Sequence, residues 1–296
     1  MAMRSSEMRQ ADLHTHTTAS DGTGSPSYNV QLAKAAGLAA IAITDHDTMA
    51  GVEEALAEGE RLGITVVPGV ELSTVADGQD IHVLGYYANW RDPLWQQRLT
   101  GLRSVRDKRN ELIVAKLVEL GIDITLEEVT AVALEHSGDA AGGKTVGRPH
   151  IAELLIRKGA VSTMREAFDR YLASGSAAYV NPPRVNPYEA ITWIKEAGGV
   201  SVLAHPGLYS NDELVEELIR SGGVQGIEVY HSDHGPQEEA RYLQLAEQYG
   251  LIVTGGSDYH GEREGKVFHG AIGSRTVDAG VLEQLKSGLN LNDMSS

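Results

Sequence analysis

Apolar residues recur along this chain in two rhythms, and the switches between them mark out the fold. Short apolar runs of strand length occupy 12–16, 38–44, 65–71, 81–86, 200–205, 224–230 and 252–256. Between most of them lie stretches with helical spacing. The first opens at Ser25-Pro26, a capping residue ahead of a proline that loses nothing at the first helical position. It carries Tyr28, Leu32 and Ala36 on one stripe and stops at Gly37. Others cover 48–62, closed by Gly63, then 188–197, 212–221 and 236–249. Strands alternating with helices predict parallel pairing through right-handed crossovers, and this many β-type runs favour a closed barrel over an open sheet.

Residues 90–176 break the alternation. Leu102, Val105, Leu112, Ile113, Leu117 and Leu120 form one stripe of a long helix, and Thr125-Leu126-Glu127-Glu128 reads as a capping box. More helices are expected over 149–157 and 162–172, with a loop at 137–144. The predicted division is a discontinuous barrel over 11–89 and 177–288, a helical insertion over 90–176 placed as a lid on the barrel's open end, and tails at 1–10 and 289–296.

Composition narrows the classes. At 296 residues, 42% hydrophobic and 22% charged, the chain suits a soluble globular protein with a sizeable core. It has no cysteine, which removes disulfides and thiolate ligands and agrees with a cytoplasmic setting. Forty-one acidic against 25 basic residues give a formal net charge of −16, a surface that repels duplex nucleic acid. No run approaches the roughly 18 apolar residues of a membrane span, and residues 1–10 lack the apolar centre of a signal peptide. No obligate protein partner is indicated.

Candidate chemistry gathers at the strand ends. A strand over 12–16 turns His14 and His16 to one face, and the Ser20-Asp21-Gly22 turn returns a carboxylate beside them. His46, Glu71, His82, His205, Asp258 and His260 fall at the carboxyl ends of the other runs, where barrels of parallel strands build active sites. These nine candidates exceed the needs of one ion, so two or three divalent ions are expected. Imidazole and carboxylate without thiolate suit manganese first, with iron or zinc as alternatives. Clustered divalent ions hydrolyse phosphate esters by clamping phosphoryl oxygens and acidifying a water.

The strings Asp12-Leu13-His14-Thr15-His16, Thr44-Asp45-His46-Asp47, Gly69-Val70-Glu71, His82-Val83-Leu84-Gly85-Tyr86, Ala204-His205-Pro206 and Gly256-Ser257-Asp258-Tyr259-His260 resemble the motifs of the PHP (polymerase and histidinol phosphatase) superfamily, in that family's order. They cover roughly residues 11–86 and 200–275. The resemblance implies an α/β fold, a distorted (β/α)7 TIM-like barrel with a helical insertion over the metal-bearing face. By motif position it implies a first metal on His14, His16, Glu71 and Asp258, a second on Glu71, His82 and His205, and a third on Asp21, His46 and His260. Some branches carry histidine where this chain has Asp21. Glu71, Asp258 and His205 stand as the catalytic candidates. Gly147-Arg148-Pro149-His150 resembles the branch that includes nucleoside 3′,5′-bisphosphate phosphatases and 5′–3′ exonucleases of short RNA.

That branch makes a small phosphorylated nucleotide or short RNA the expected substrate class, and the first reading is a nucleoside 3′,5′-bisphosphate phosphatase that releases phosphate and a nucleoside 5′-monophosphate through a metal-bound hydroxide. Arg148, ahead of a proline-started helix, is placed to clamp a second phosphate, with His150, His231, His234 and Lys144 as weaker substrate contacts. Arg98, Arg103, Arg106, Lys108 and Arg109 read as a solvated helix face. Gly138 to Thr145 matches the P-loop pattern by letter, but a helix precedes it where a buried strand is required, so a nucleoside triphosphate site is rejected. The alternatives are an exoribonuclease acting on short RNA, a histidinol-phosphate phosphatase, and a non-catalytic or proofreading PHP module of a nucleic-acid machine.

Overall fold

The computed structural model describes residues 9–137, 146–263 and 265–293. The chain begins with β1 (Gln10–Asp12), α1 (Pro26–Ala35), β2 (Ala40–Ile43), α2 (Val52–Leu62), β3 (Thr65–Ala76) and β4 (Gln79–Tyr86). Helices α3 (Pro93–Glu119), α4 (Leu126–Ser137), α5 (Arg148–Arg157) and α6 (Met164–Ala167) follow, with a π-helical turn at Phe168–Leu172. Next come α7 (Pro187–Glu196), β5 (Val200–Leu203), α8 (Asp212–Gly222), β6 (Gly226–His231), α9 (Pro236–Tyr249) and β7 (Ile252–Gly256). The short β8 (Glu262–Arg263), β9 (Lys266–Val267) and β10 (Val277–Asp278) lead to α10 (Val281–Asp293).

Eight strands form one sheet in the order β10-β1-β2-β3-β4-β5-β6-β7. Beyond β1 the extended chain runs along the end of β7 and joins the two sides of the sheet. Leu13 N–H donates to Gly255 O at 3.0 Å, Asp258 N–H to His14 O at 2.9 Å and His16 N–H to Tyr259 O at 2.8 Å. This seam makes the sheet a distorted TIM-like barrel. Gly256 permits the close approach, since a Cβ there would collide with the backbone of His14.

Strands β1, β2 and β3 pair in parallel, as do β5, β6 and β7. The parallel order expected at 81–86 is overturned. β3 and β4 are joined by Asp77-Gly78, both at positive φ, in a two-residue hairpin turn. Two residues cannot make the crossover that a parallel pair requires. β4 is antiparallel to β5 as well. Its beginning, rather than its end, therefore reaches the rim where the parallel strands finish.

The helix starts follow their caps. Ser25 Oγ accepts from Tyr28 N–H at 3.1 Å, and Thr125 and Glu128 bond reciprocally at 3.2 and 3.0 Å. The buried face of α1 is Pro26, Asn29, Val30 and Ala33, and the Tyr28 stripe faces outward. On α3 the expected stripe is also displaced. Leu112 and Leu120 are exposed, while Trp95, Leu99, Leu102, Arg106, Arg109, Ile113 and Leu117 are buried at three-to-four spacing. Arg106 and Arg109 thus leave the solvated face assigned to them, because this stripe passes over the barrel rim. Arg98 and Arg103 are half-buried, and Lys108 is exposed.

Ala42, Val67, Leu84, Tyr86 and Val202 fill the barrel with Val281 and Leu285 of α10. The later part of α3 packs with α4 and α5 around a separate cluster that includes Ile113, Leu117, Val129, Ile151 and Leu155. Among the described residues no helix is long and apolar enough to cross a membrane.

Candidate metal centre

Glu71 lies where the donor groups converge. Its Oε2 is 3.2 Å from His16 Nε2, 3.5 Å from His14 Nε2 and 3.0 Å from His46 Nδ1. Its Oε1 is 2.7 Å from His82 Nδ1 and 3.0 Å from His205 Nε2. Asp258 Oδ1 approaches His14 Nε2 and His16 Nε2 at 3.3 and 3.1 Å. Asp21 faces His260 at 3.4 Å and His46 at 3.8 Å. The structure therefore brings all nine sequence-derived candidates into one connected group. His82 joins from the start of the reversed strand β4, opposite Ser73 in register.

The donor atoms suit cations better than one another. Among the described residues no hydrogen bond is made by His46 Nδ1, buried 3.0 Å from Glu71 Oε2, or by His16 Nδ1 or His205 Nδ1, and the buried Asp258 Oδ1 is faced by the ring nitrogens of His14 and His16. Leaving buried polar atoms in this state is costly unless a ligand completes them. Buried imidazole and carboxylate donors gathered in overlapping sets fit divalent ions, with no soft ligand among them.

A surrounding layer holds these groups in place, and most of it escaped the sequence reading. Glu228 is fully buried, bonds His14 Nδ1 and accepts the His205 N–H at 2.8 Å. Asp12 accepts N–H groups from Ser257 at 3.0 Å and Gly273 at 2.9 Å, so it fastens both the chain that leaves β7 and the segment ahead of β10 to β1. Asp45 takes the N–H and hydroxyl of Thr17, both at 2.7 Å, and the Ser20 hydroxyl at 2.6 Å. Arg263 donates to the Asp21 carbonyl at 2.6 Å and to Glu153 of α5 at 3.2 Å. Asp47, His205, Asp258 and His269 all hold positive φ, strain of the kind that collects at functional sites.

Electrostatics divides the imidazoles. Burial pulls His16 down, but hydrogen bonds to Asp258 and Glu71 outweigh it and hold the ring at about 10. His14 is also raised: burial opposes, and Glu228, Asp258 and Glu71 prevail. Burial lowers His46, His82 and His260. For Glu71 burial acts upward, and His82, His46 and His14 still hold it well below the usual carboxylate range.

The group lies in a cleft of about 980 Å³ that α5, α6 and the Phe168–Leu172 turn share with the barrel rim. Arg148 lies on its wall, with Nη1 2.8 Å from Asp80 Oδ2. Arg184 also bonds Asp80. Burial would raise the Asp80 carboxyl, but Arg148, Arg184 and Arg109 together hold it far below its usual value. Arg109 is 3% exposed, and among the described residues no hydrogen bond reaches its Nε or Nη2. The helical stripe running through positions 102, 106, 109 and 113 was the signal that could have found it. Two other substrate candidates turn elsewhere. His150 Nδ1 accepts the Gly147 N–H at 3.0 Å, and neither His150 nor His234 is on the cleft wall. His234 spends Nδ1 on Val229 O and Nε2 on the Gly207 N–H. His231 is fully buried beside the cluster, 3.2 Å from Asp258 Oδ2, and does not line the cleft either. Lys144 and the P-loop-like string, apart from its surroundings, lie outside the described residues.

The PHP domain pattern matches residues 12–197. The 5′–3′ exoribonuclease Rnm of Escherichia coli is 36% identical over 256 residues, 84% of each chain. The 3′,5′-nucleoside bisphosphate phosphatase of Chromobacterium violaceum is 33% identical over 262 residues, 87% of this chain and 90% of that one. A crystal structure from Bifidobacterium adolescentis, described as a candidate metal-dependent phosphoesterase, superposes with a TM-score of 0.82 at 32% identity, covering 94% of this chain and 95% of that one.

Proposed function

Since the chain belongs to the PHP domain family and is a metal-dependent phosphoesterase, we propose that it hydrolyses nucleosides phosphorylated at both the 3′ and 5′ positions. The supporting observation is that one cleft carries both a cation-binding cluster around Glu71, which would draw a phosphate once divalent ions are bound, and the arginines around Asp80. Three guanidiniums share one carboxylate there, and among the described residues no hydrogen bond reaches Nε or Nη2 of the buried Arg109. A phosphate is the natural complement, because its oxygens accept from the guanidinium fork.

His14, His16, Asp21, His46, Glu71, His82, His205, Asp258 and His260 would hold two or three divalent ions, manganese first. Bound there, the ions polarise the phosphoryl oxygens and lower the pKa of a water. The chain itself fixes the rest. Arg109 and Arg148 hold the 5′-phosphate and so direct the 3′-phosphate toward Glu71 and Asp258. Water oxygen joins phosphorus as the bond from phosphorus to O3′ breaks, one water proton ends on O3′, and the 5′-phosphorylated nucleoside leaves with a free 3′-hydroxyl. Glu228 keeps His14 oriented throughout.

The exoribonuclease reading breaks the same bond, with a further nucleotide attached to the phosphoryl group. The size of the cleft favours keeping it, since about 980 Å³ lies at the upper end of small-molecule sites. The test is product analysis of the manganese-loaded protein given adenosine 3′,5′-bisphosphate and, separately, a 5′-phosphorylated RNA trimer. Phosphate and AMP from the first with an intact trimer support the bisphosphate reading. Mononucleotides from the trimer transfer it to short RNA, and neither product overturns both.

A further inference from the structure

The chain contains two phenylalanines, and both line the cleft, where their rings stack with centroids 5.7 Å apart and planes 24° from parallel. They come from different parts of the fold. Phe168 opens the π-helical turn after α6 and packs on the cluster shared by α3, α4 and α5, whereas Phe268 follows β9. A π-helical turn is an uncommon conformation that tends to occur at functional sites. The residue after the second ring, His269, holds φ at 61°, a conformation of the kind that gathers at functional sites. Both rings are only half-buried, so aromatic surface remains open to the cleft.

The pair is tied to one end of the donor cluster. Phe268 and His269 have centroids 4.3 Å apart, and His269 Nε2 is 3.6 Å from Asp258 Oδ2. The arginines adjoin Asp80, which acts on His82, and Arg148 Nη1 also reaches Leu172 O at the end of the turn that Phe168 opens. A ligand held by the arginines therefore shares the cleft wall with the aromatic pair.

We propose that Phe168 and Phe268 form a nucleobase subsite, on which the base of a nucleotide stacks while its 5′-phosphate is held by Arg109 and Arg148. This rests on the nucleotide reading of the cleft. Stacking on an aromatic face is open to every base, so the subsite distinguishes nucleotides from sugar phosphates rather than one base from another.

Calorimetric titration of the manganese-loaded protein with AMP and with ribose 5-phosphate tests this without turnover. The wild-type chain binds AMP about tenfold or more tightly than ribose 5-phosphate, in line with the worth of one base stacked on an aromatic ring. Phe268→Ala and Phe168→Ala each reduce that preference and leave ribose 5-phosphate unchanged, whereas Phe268→Tyr retains it. CMP, GMP and UMP keep the advantage over the sugar phosphate. Equal binding of AMP and ribose 5-phosphate by the wild type, a preference that survives both alanine variants, or a parallel loss of both ligands overturns the proposal. Failure to hydrolyse the bisphosphate, with the AMP preference intact, would instead strike the catalytic reading alone.

Discussion

Glu228 Oε1 stands 3.0 Å from His14 Nδ1 with both side chains fully shielded from solvent. The carboxylate keeps the proton on Nδ1 and leaves the Nε2 lone pair facing Glu71 and Asp258. Glu228→Gln removes the charge with little change of shape. Manganese affinity is expected to fall about 10–100-fold, the usual effect of losing such a supporting group. A metal titration that gives the wild-type affinity would show that this carboxylate does not tune His14.

Glu71→Gln, His14→Ala and Asp258→Asn should each nearly abolish phosphoesterase activity while the chain stays folded. Circular dichroism confirms the fold and a phosphate-release assay reads the activity. Full turnover in any folded variant removes that residue from the machinery.

Metal loading should release protons. With His16 held at about 10, that ring is protonated in the metal-free chain at about pH 8. A metal-ligating imidazole nitrogen must be free of its proton, so binding expels it and affinity climbs with pH over this range. His16 also contributes stability to the metal-free fold, present below its unfolded value of 6.5 and lost as pH rises through about 10. Calorimetry in buffers of different ionisation enthalpy counts the protons, and an enthalpy independent of buffer contradicts the assignment.

Arg109→Met separates stability from binding. It removes a buried cation that burial and the charges of Arg148 and Arg106 already disfavour, so the melting temperature should hold or rise. The same change should raise KM for adenosine 3′,5′-bisphosphate and leave p-nitrophenyl phosphate, which has no second phosphate, unaffected. Equal losses on both substrates would place Arg109 outside phosphate selection.

Arg106→Met should do the opposite to stability. Arg106 Nε and Nη2 reach Asp47 Oδ2 at 3.1 and 3.0 Å, and Nη2 also donates to Ser73. Removing it strands a buried carboxylate, an effect of about 3–5 kcal/mol in comparable pairs. Chemical denaturation measures it, and a loss below about 1 kcal/mol would mean that Asp47 is satisfied without its partner.

Residues that announce themselves locally were legible. His14 and His16 stand two apart on an extended segment, and the proline-started helices carry their caps in the sequence. Asp77-Gly78 was equally local, yet the hairpin went unread because the apolar runs on either side satisfy a parallel pattern as well. Glu228 is different in kind. It lies within the apolar strand β6, and only the barrel seam brings His14 to it. Arg109 reads as a solvated lysine or arginine until the path of α3 over the rim is known, since burial of a charge is set by tertiary contacts that no local pattern records.

The reversed strand β4 also divides the donors by how far the chain must travel to assemble them. Glu71 and His82 meet across a tight hairpin, 11 positions apart, whereas His14 must wait for Glu228, 214 positions later. As the chain emerges from the ribosome, the hairpin half of the centre can take shape from the first third of the sequence alone. The His14–Glu228 pair cannot form until the barrel closes, so full metal loading reports closure of the barrel.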